Sequence, residues 1–214
     1  MTALRVAVLA ESDTDDAVAY QIVAHVRQAV VEPVAVPSLR TRGWPALLRQ
    51  LPTVVRAVHY QSDAGALVVL ADADATTPHN TATHTPGAHP PDCRWCVIDA
   101  ALARALANLG PRPAGGSLHT AVGTPAPALE GWLLAGRVAH ASEAAWLQRG
   151  SLAAAASEAY KRQLKQEAYG SGPPFRNTPS AATTLIREAL ATPGLLRTAF
   201  PGGYAPLEDA IRSW

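Results

Sequence analysis

The sequence predicts an α/β protein with a mostly parallel four-stranded sheet, flanked by helices and followed by a helical C-terminal extension. Three observations predict it. Short apolar, β-branched runs alternate with segments of helical period in the order β-α-β-α-β-α-β over residues 1–140. No strand-like run follows, and residues 141–214 read as helices packed on that core. The chain has 214 residues, 48% hydrophobic and 16% charged, enough to bury a substantial core.

Each element has its own signal. "LRVAVLAE" (4–11) reads as a buried first strand. Ser12 or Asp13 then stands where a helix cap is needed, ahead of Val18, Ile22, Val23, Val26 and Val30 at helical spacing. "PVAVPSL" (33–39) is an edge or irregular strand, because Pro33 and Pro37 cannot donate to a ladder. "WPALLRQLPTVVRAVHYQ" (44–61) has a helical period that Pro52 should kink or break. "ALVVLAD" (66–72) is the third strand, followed by a turn-rich loop at 76–91. A helix over 94–110 ends at Gly110 and Pro111. "SLHTAVGT" (117–124) is the fourth strand, and "PALEGWLLAGRV" (127–138) opens a helix at a proline. Further helices are expected over 151–170, capped by Ser151 and stopped by Gly170, over 180–191 and over 205–214, with a loop at 171–179. Trp132 and Trp146 are expected in the core or between sheet and tail.

Charge excludes little and favours nothing strongly. The net charge is +1, so no overall field demands a nucleic acid or a membrane. Residues 1–136 carry 9 basic and 11 acidic side chains, residues 137–214 carry 9 and 6. Lys161 and Lys165 are the only lysines. Arg149, Lys161, Arg162, Lys165 and Arg176 form a basic strip or, on the plainer reading, a solvated helix face. The N-terminus lacks the build of a signal peptide, and no apolar run approaches the ~18 residues of a membrane span, so a cytoplasmic protein without a membrane partner is expected. No glycine-rich phosphate loop and no Gly-x-Ser-x-Gly elbow occurs.

The acids carry the chemistry. In parallel sheets, sites form beyond the C-terminal strand ends. Glu11 closes the first strand, Asp72 and Asp74 close the third, and Glu130 follows the fourth. Converging carboxylates repel unless a cation relieves them, and oxygen ligands suit Mg2+ or Mn2+. The bland alternative is a strand-terminal Asp that caps a turn.

These residues resemble a known family. "LAESDTDDAVAY" resembles the first motif of the Toprim (topoisomerase–primase) domain, matching Glu11 and Asp15. "VVLADAD" is similar to its Asp-x-Asp motif, matching Asp72 and Asp74. "PALEGWLLAG" looks like a motif of an uncharacterised bacterial Toprim-like family, through Glu130 and Trp132, and "SEAYKRQLK" could supply its helix-borne lysine as Lys161 or Lys165. Ser12 departs from the glycine that usually follows the first Glu. The resemblance covers roughly residues 4–170 and implies a Mg2+- or Mn2+-dependent hydrolase of nucleic-acid phosphodiesters, DNA being the expected substrate. It implies Glu11, Asp15, Asp72 and Asp74 as metal ligands. It likewise implies Glu11, Asp72, Asp74, Glu130, Lys161 and Lys165 as the catalytic set. No tyrosine stands out for a covalent intermediate, which favours hydrolysis over strand passage. The resemblance also implies an ABC-type ATPase partner, in an ATPase–nuclease pair of phage defence, with an oligomer compatible. Its alternative is a catalytically inactive Toprim-like subunit that only binds the ATPase.

A second constellation is "HNTATHTPGAHPPDCRWC" (79–96). Cys93-x-x-Cys96 is a zinc half-site that His89 or His84 could complete. A helix starting near Cys93, with Cys96 buried as a small hydrophobe, accounts for the same residues. His79 could instead reach the acidic edge as a ligand or proton shuttle.

Overall fold

The computed structural model describes residues 3–36, 43–84, 90–149, 154–170 and 179–214. Its elements run β1 (Leu4–Leu9), α1 (Asp13–Arg27), β2 (Val31–Val34), α2 (Trp44–Gln61), β3 (Ala66–Leu70), α3 (Arg94–Ala107), β4 (His119–Gly123) and α4 (Leu129–Leu133). Then follow α5 (Glu143–Gln148), α6 (Ala154–Tyr169), α7 (Pro179–Ala191), α8 (Leu195–Ala199) and α9 (Ala205–Arg212). The four strands form one all-parallel sheet in the order β2-β1-β3-β4. The expected α/β class and flanked parallel sheet are what the chain forms.

Strand side chains alternate between two cores, so both faces are buried and the strands read as unbroken apolar runs. Val6, Val8, Val68 and Leu70 face a cluster with α1, α4, α7 and α9, including Trp132, Ile186, Leu190, Leu207 and Ile211. Ala7, Leu9, Leu67 and Val69 face the opposite cluster with Leu47, Leu51, Val55 and Val58 of α2 and Ile98 and Leu102 of α3. Each fully buried Leu or Ile contributes about 1.5–3 kcal/mol. Helices following residue 140 thus share a core with the strands. Trp132 is wholly buried there, edge-on to Tyr204, while Trp146 stacks on Tyr160 in a third cluster with Leu164 of α6.

The helices change faces when the chain reverses direction across the sheet. The step from β1 to β2 goes one way, with α1 on one face; the steps through α2 and α3 go the other way, on the opposite face. Right-handed crossovers require this, and they open a crevice between the C-terminal ends of β1 and β3.

Several boundaries differ from expectation for local reasons. Helix α1 starts at Asp13, where the expected Ser12 cap puts it, with Ser12 Oγ accepting the Asp15 N–H at 3.3 Å, but it ends at Arg27, so exposed Val30 falls outside it. Pro52 neither breaks nor ends α2, and it lies at an exposed position of that helix. Strand β2 is shorter and earlier than read, and it is the sheet edge, where Pro33 is tolerated. The short helices α5 and α8 carry too few residues for a period to show. Pro37, the Ser151 cap, Arg176 and all of loop 171–179 but Pro179 lie outside the described residues. Among the described residues, no helix is long and apolar enough to cross a membrane.

One turn locks the C-terminal helices to the sheet. The Gly202 and Gly203 N–H groups donate to the two oxygens of buried Glu143, at 2.8 and 2.6 Å. A Cβ on Gly202 would lie 1.9 Å from the His79 carbonyl oxygen, and one on Gly203 would lie 2.1 Å from that of Thr124. Only glycine lets these backbones approach so closely.

Candidate functional site

The crevice between β1 and β3 collects the acids singled out in the sequence. Glu11 leaves β1, and Asp15 lies in the first turn of α1. Asp72 and Asp74 leave β3, and buried Glu130 sits on α4. The backbone beyond β3 is pinned: the Ala73 and Asp74 N–H groups both donate at 2.8 Å, to the Pro125 and Pro127 carbonyls. Asp74 adopts φ +51°, a left-handed conformation that aspartate tolerates better than most residues.

The cations come from α3 and α6. Lys161 Nζ lies 3.3 Å from Asp72 Oδ2 and also bonds Asp74 Oδ1. Arg94 Nη1 lies 2.5 Å from Asp74 Oδ2 and also donates to the Asp72 carbonyl. The Leu129 N–H donates to Asp72 Oδ1 at 3.0 Å. Both Asp74 oxygens are therefore engaged by cations. Lys165, one turn further along α6, is exposed and pulls on Glu130 only through its charge. Lys161 is thus the lysine brought into contact, and it is not part of a solvated face.

The remaining carboxylates are short of positive charge. Burial and then the Asp72 charge push Asp15 up to about 8, although the Ser12 hydroxyl opposes this. Burial and then Asp72 push Glu130 up to about 7. Burial, Asp72 and Asp74 raise Glu11, whose Oε1 is buried without a hydrogen-bond partner. Burial raises Asp72 despite Lys161. Burial would raise Asp74 too, but Lys161 and Arg94 outweigh it and hold that carboxyl low. The donors of this set are all carboxylate oxygens, one of them an orphan, and their mutual repulsion adds to burial in raising Glu11, Asp15 and Glu130.

These shifts set a pH dependence. Asp15, Glu130 and Glu143, which burial pushes to about 7, are all raised above their ordinary values of 3.8, 4.5 and 4.5. The folded chain therefore holds protons that the unfolded chain releases above about pH 4–5, so stability falls as pH rises through about 7–8. Each ~1 kcal/mol lost lowers Tm by about 2–4 °C in a chain of this size. Scanning calorimetry in chelator should give a lower Tm at about pH 8 than at about pH 5.

Two residues of this site escaped the sequence reading. Arg94 stands immediately after Cys93 at the start of α3, a position whose only signal is its place after the loop from β3. Tyr169, at the end of α6, has a buried hydroxyl without a hydrogen-bond partner, and burial followed by Glu130, Asp15 and Asp72 raises its pKa. A tyrosine therefore does face the acids, but as a protonated phenol.

The second cluster is complete where the sequence left it open. His79, His84, Cys93 and Cys96 each offer a ligand atom, all within 4.8 Å of one another, and the group could bind a metal ion. His79 Nδ1 lies 3.3 Å from Cys96 Sγ and 3.9 Å from Cys93 Sγ, and His84 Nδ1 lies 3.7 Å from Cys96 Sγ. The His79 ring stacks on Trp95 at 4.1 Å between centroids, which turns it towards the cysteines instead of the acidic edge. Burial, then Cys93, pushes the Cys96 thiol up to about 12. Of the two histidines offered as partners to the cysteines, His84 is present, and His89 lies outside the described residues.

Comparison of the chain with protein-family models, with curated proteins and with solved structures found no match.

Proposed function

We propose that the chain is a Toprim-like, Mg2+- or Mn2+-dependent hydrolase of nucleic-acid phosphodiesters, with DNA as the substrate and an ABC-type ATPase as partner. The observation that carries the reading is charge at the strand ends. Glu11, Asp15, Asp72, Asp74 and Glu130 face three cations, Arg94, Lys161 and Lys165; fully ionised, the five acids would exceed them by two charges, which protons offset in part and one divalent ion would cancel. Glu11, Asp15 and Asp72 would hold that ion, which would supply Lewis-acid polarisation of a phosphoryl oxygen and a nucleophile at neutral pH.

The chain's own groups do the rest. Glu130, pushed to about 7, can take and return a proton near neutrality. Lys161 neutralises charge growing on the phosphate. Asp74 acts as a positioning residue, aiming Lys161 and Arg94 through its two oxygens. Tyr169 keeps its proton and can donate a hydrogen bond. The test is cleavage of end-labelled DNA and RNA of one sequence, with Mn2+ or with chelator. Metal-dependent loss of intact DNA supports the reading. Cleavage of RNA alone would move the substrate to RNA.

One observation favours a second reading. The Lys161 ammonium already serves Asp72 and Asp74, an arrangement suited to a Toprim-like shell that keeps the fold and only binds an ATPase. Lys161→Met separates the two. If the site is catalytic, the variant keeps or tightens Mn2+ binding while cleavage falls about a hundredfold. If the shell is silent, the wild type cleaves nothing and the substitution changes only stability.

A further inference from the structure

We propose that His79, His84, Cys93 and Cys96 form a structural zinc site that fixes the start of α3. Two sulfurs and two imidazoles are a soft donor set that selects zinc over the oxygen-seeking ions suited to the acidic crevice. Bonds of about 2.3 Å to sulfur and 2.0 Å to nitrogen space tetrahedral ligands about 3.3–3.8 Å apart. Three contacts between ring nitrogens and sulfurs, 3.3, 3.7 and 3.9 Å, already lie within about 0.1 Å of that range. All four ligand atoms lie within 4.8 Å of one another, so closing on an ion asks for movements of no more than about one ångström.

The backbone prepares both ligand pairs. Cys93 stands at the N-cap position of α3 without a side-chain cap bond, and Cys96 lies three residues on, so the two share a helix face. The histidines are brought together by a turn at Asn80, whose carbonyl accepts the Thr83 and His84 N–H groups at 3.1 and 2.8 Å. Asn80 Oδ1 accepts the Ala82 N–H at 2.9 Å and closes the same turn. His84 Nδ1 also accepts the Asn80 N–H at 3.3 Å, a weak contact that metal binding through this nitrogen would displace. Both pairs have the short spacings of zinc-binding pairs, Cys-x2-Cys and His-x4-His.

Four protein ligands leave no open position, so the ion is structural and not catalytic. Its role follows from what the ligands bracket. Arg94 lies between Cys93 and Cys96 and reaches Asp74 and the Asp72 carbonyl. The loop from β3 has no hydrophobic period to hold it, and a bound ion supplies that missing folding energy. The zinc site stands independently of the acidic reading.

Two measurements on the full chain test it. Elemental analysis of protein purified without chelator should find one zinc per chain, lost in Cys96→Ser and kept in Asp72→Asn. Cobalt(II) added to the metal-free wild type should give the thiolate charge-transfer band and strong visible bands of a tetrahedral site. Because Cys96→Ser could fail to fold, the wild-type cobalt spectrum decides on its own in that event. A wild type without zinc and with the weak spectrum of six-coordinate cobalt overturns the proposal, leaving a thiol–imidazole hydrogen-bond cluster. Zinc equally retained by soluble Cys96→Ser overturns it too.

Discussion

Asp72→Asn will remove metal-dependent cleavage while leaving the chain folded. Asp72 is the centre of the acidic crevice: its charge pushes up Glu11, Asp15 and Glu130, and its Oδ1 is fixed by the Leu129 N–H. The amide keeps an oxygen to accept that N–H, so the local fold survives. It removes the negative charge shared with Lys161, so the proposed ion would lose its central ligand. Lewis-acid assistance is worth several kcal/mol, and at about 1.4 kcal/mol per decade the rate should fall at least about a hundredfold. In the same variant Asp15 and Glu130 lose their nearest repulsion and should titrate lower. The steep fall of Tm between about pH 5 and pH 8 should therefore flatten. Single-turnover cleavage and scanning calorimetry read the two effects separately. A variant that cleaves as fast as the wild type would remove Asp72 from the mechanism.

Gly203→Ala should rank with Gly202→Ala among the most destabilising single methyl additions in the described residues. Its Cβ would meet the Thr124 carbonyl oxygen at 2.1 Å, and that obstacle is backbone, held in turn by the Thr124 N–H bond to the Gly203 carbonyl. The turn cannot swing away without breaking the two bonds from Gly202 and Gly203 to buried Glu143. Overpacking typically costs about 1–3 kcal/mol, and this contact belongs at or above the top of that range. Tm should fall by about 6 °C or more. Gly65→Ala is the control: its Cβ would find only ordinary contacts, 3.7 Å to Leu4 and 3.8 Å to the Arg5 carbonyl, and Tm should barely move. Equal melting of the two variants would mean that the turn yields and does not lock α9 to the sheet.

The difference between what the sequence disclosed and what it hid is one of range. Strands β1 and β3 were legible because burial on both faces leaves a continuous apolar run. The convergence of Glu11, Asp72 and Asp74 was legible because parallel strands must bring their C-terminal ends to one edge. Lys161 and Lys165 were both offered, but only the packing of Leu164 and Tyr160 in the third core cluster decides which of them turns inward. Arg94 and Tyr169 gave no signal, since each reaches the site through contacts distant in sequence. The histidine partners were ambiguous for a related reason: in a loop without period, spacing alone cannot say which rings meet the cysteines. His79 is selected by its stack on Trp95.

The most direct test of the central claim is a calorimetric Mn2+ titration of the wild type beside Asp72→Asn, each first freed of loosely held metal. The wild type should bind one ion and the variant none, with unchanged zinc content in both. No Mn2+ binding by the wild type, or equal binding by both proteins, would contradict it.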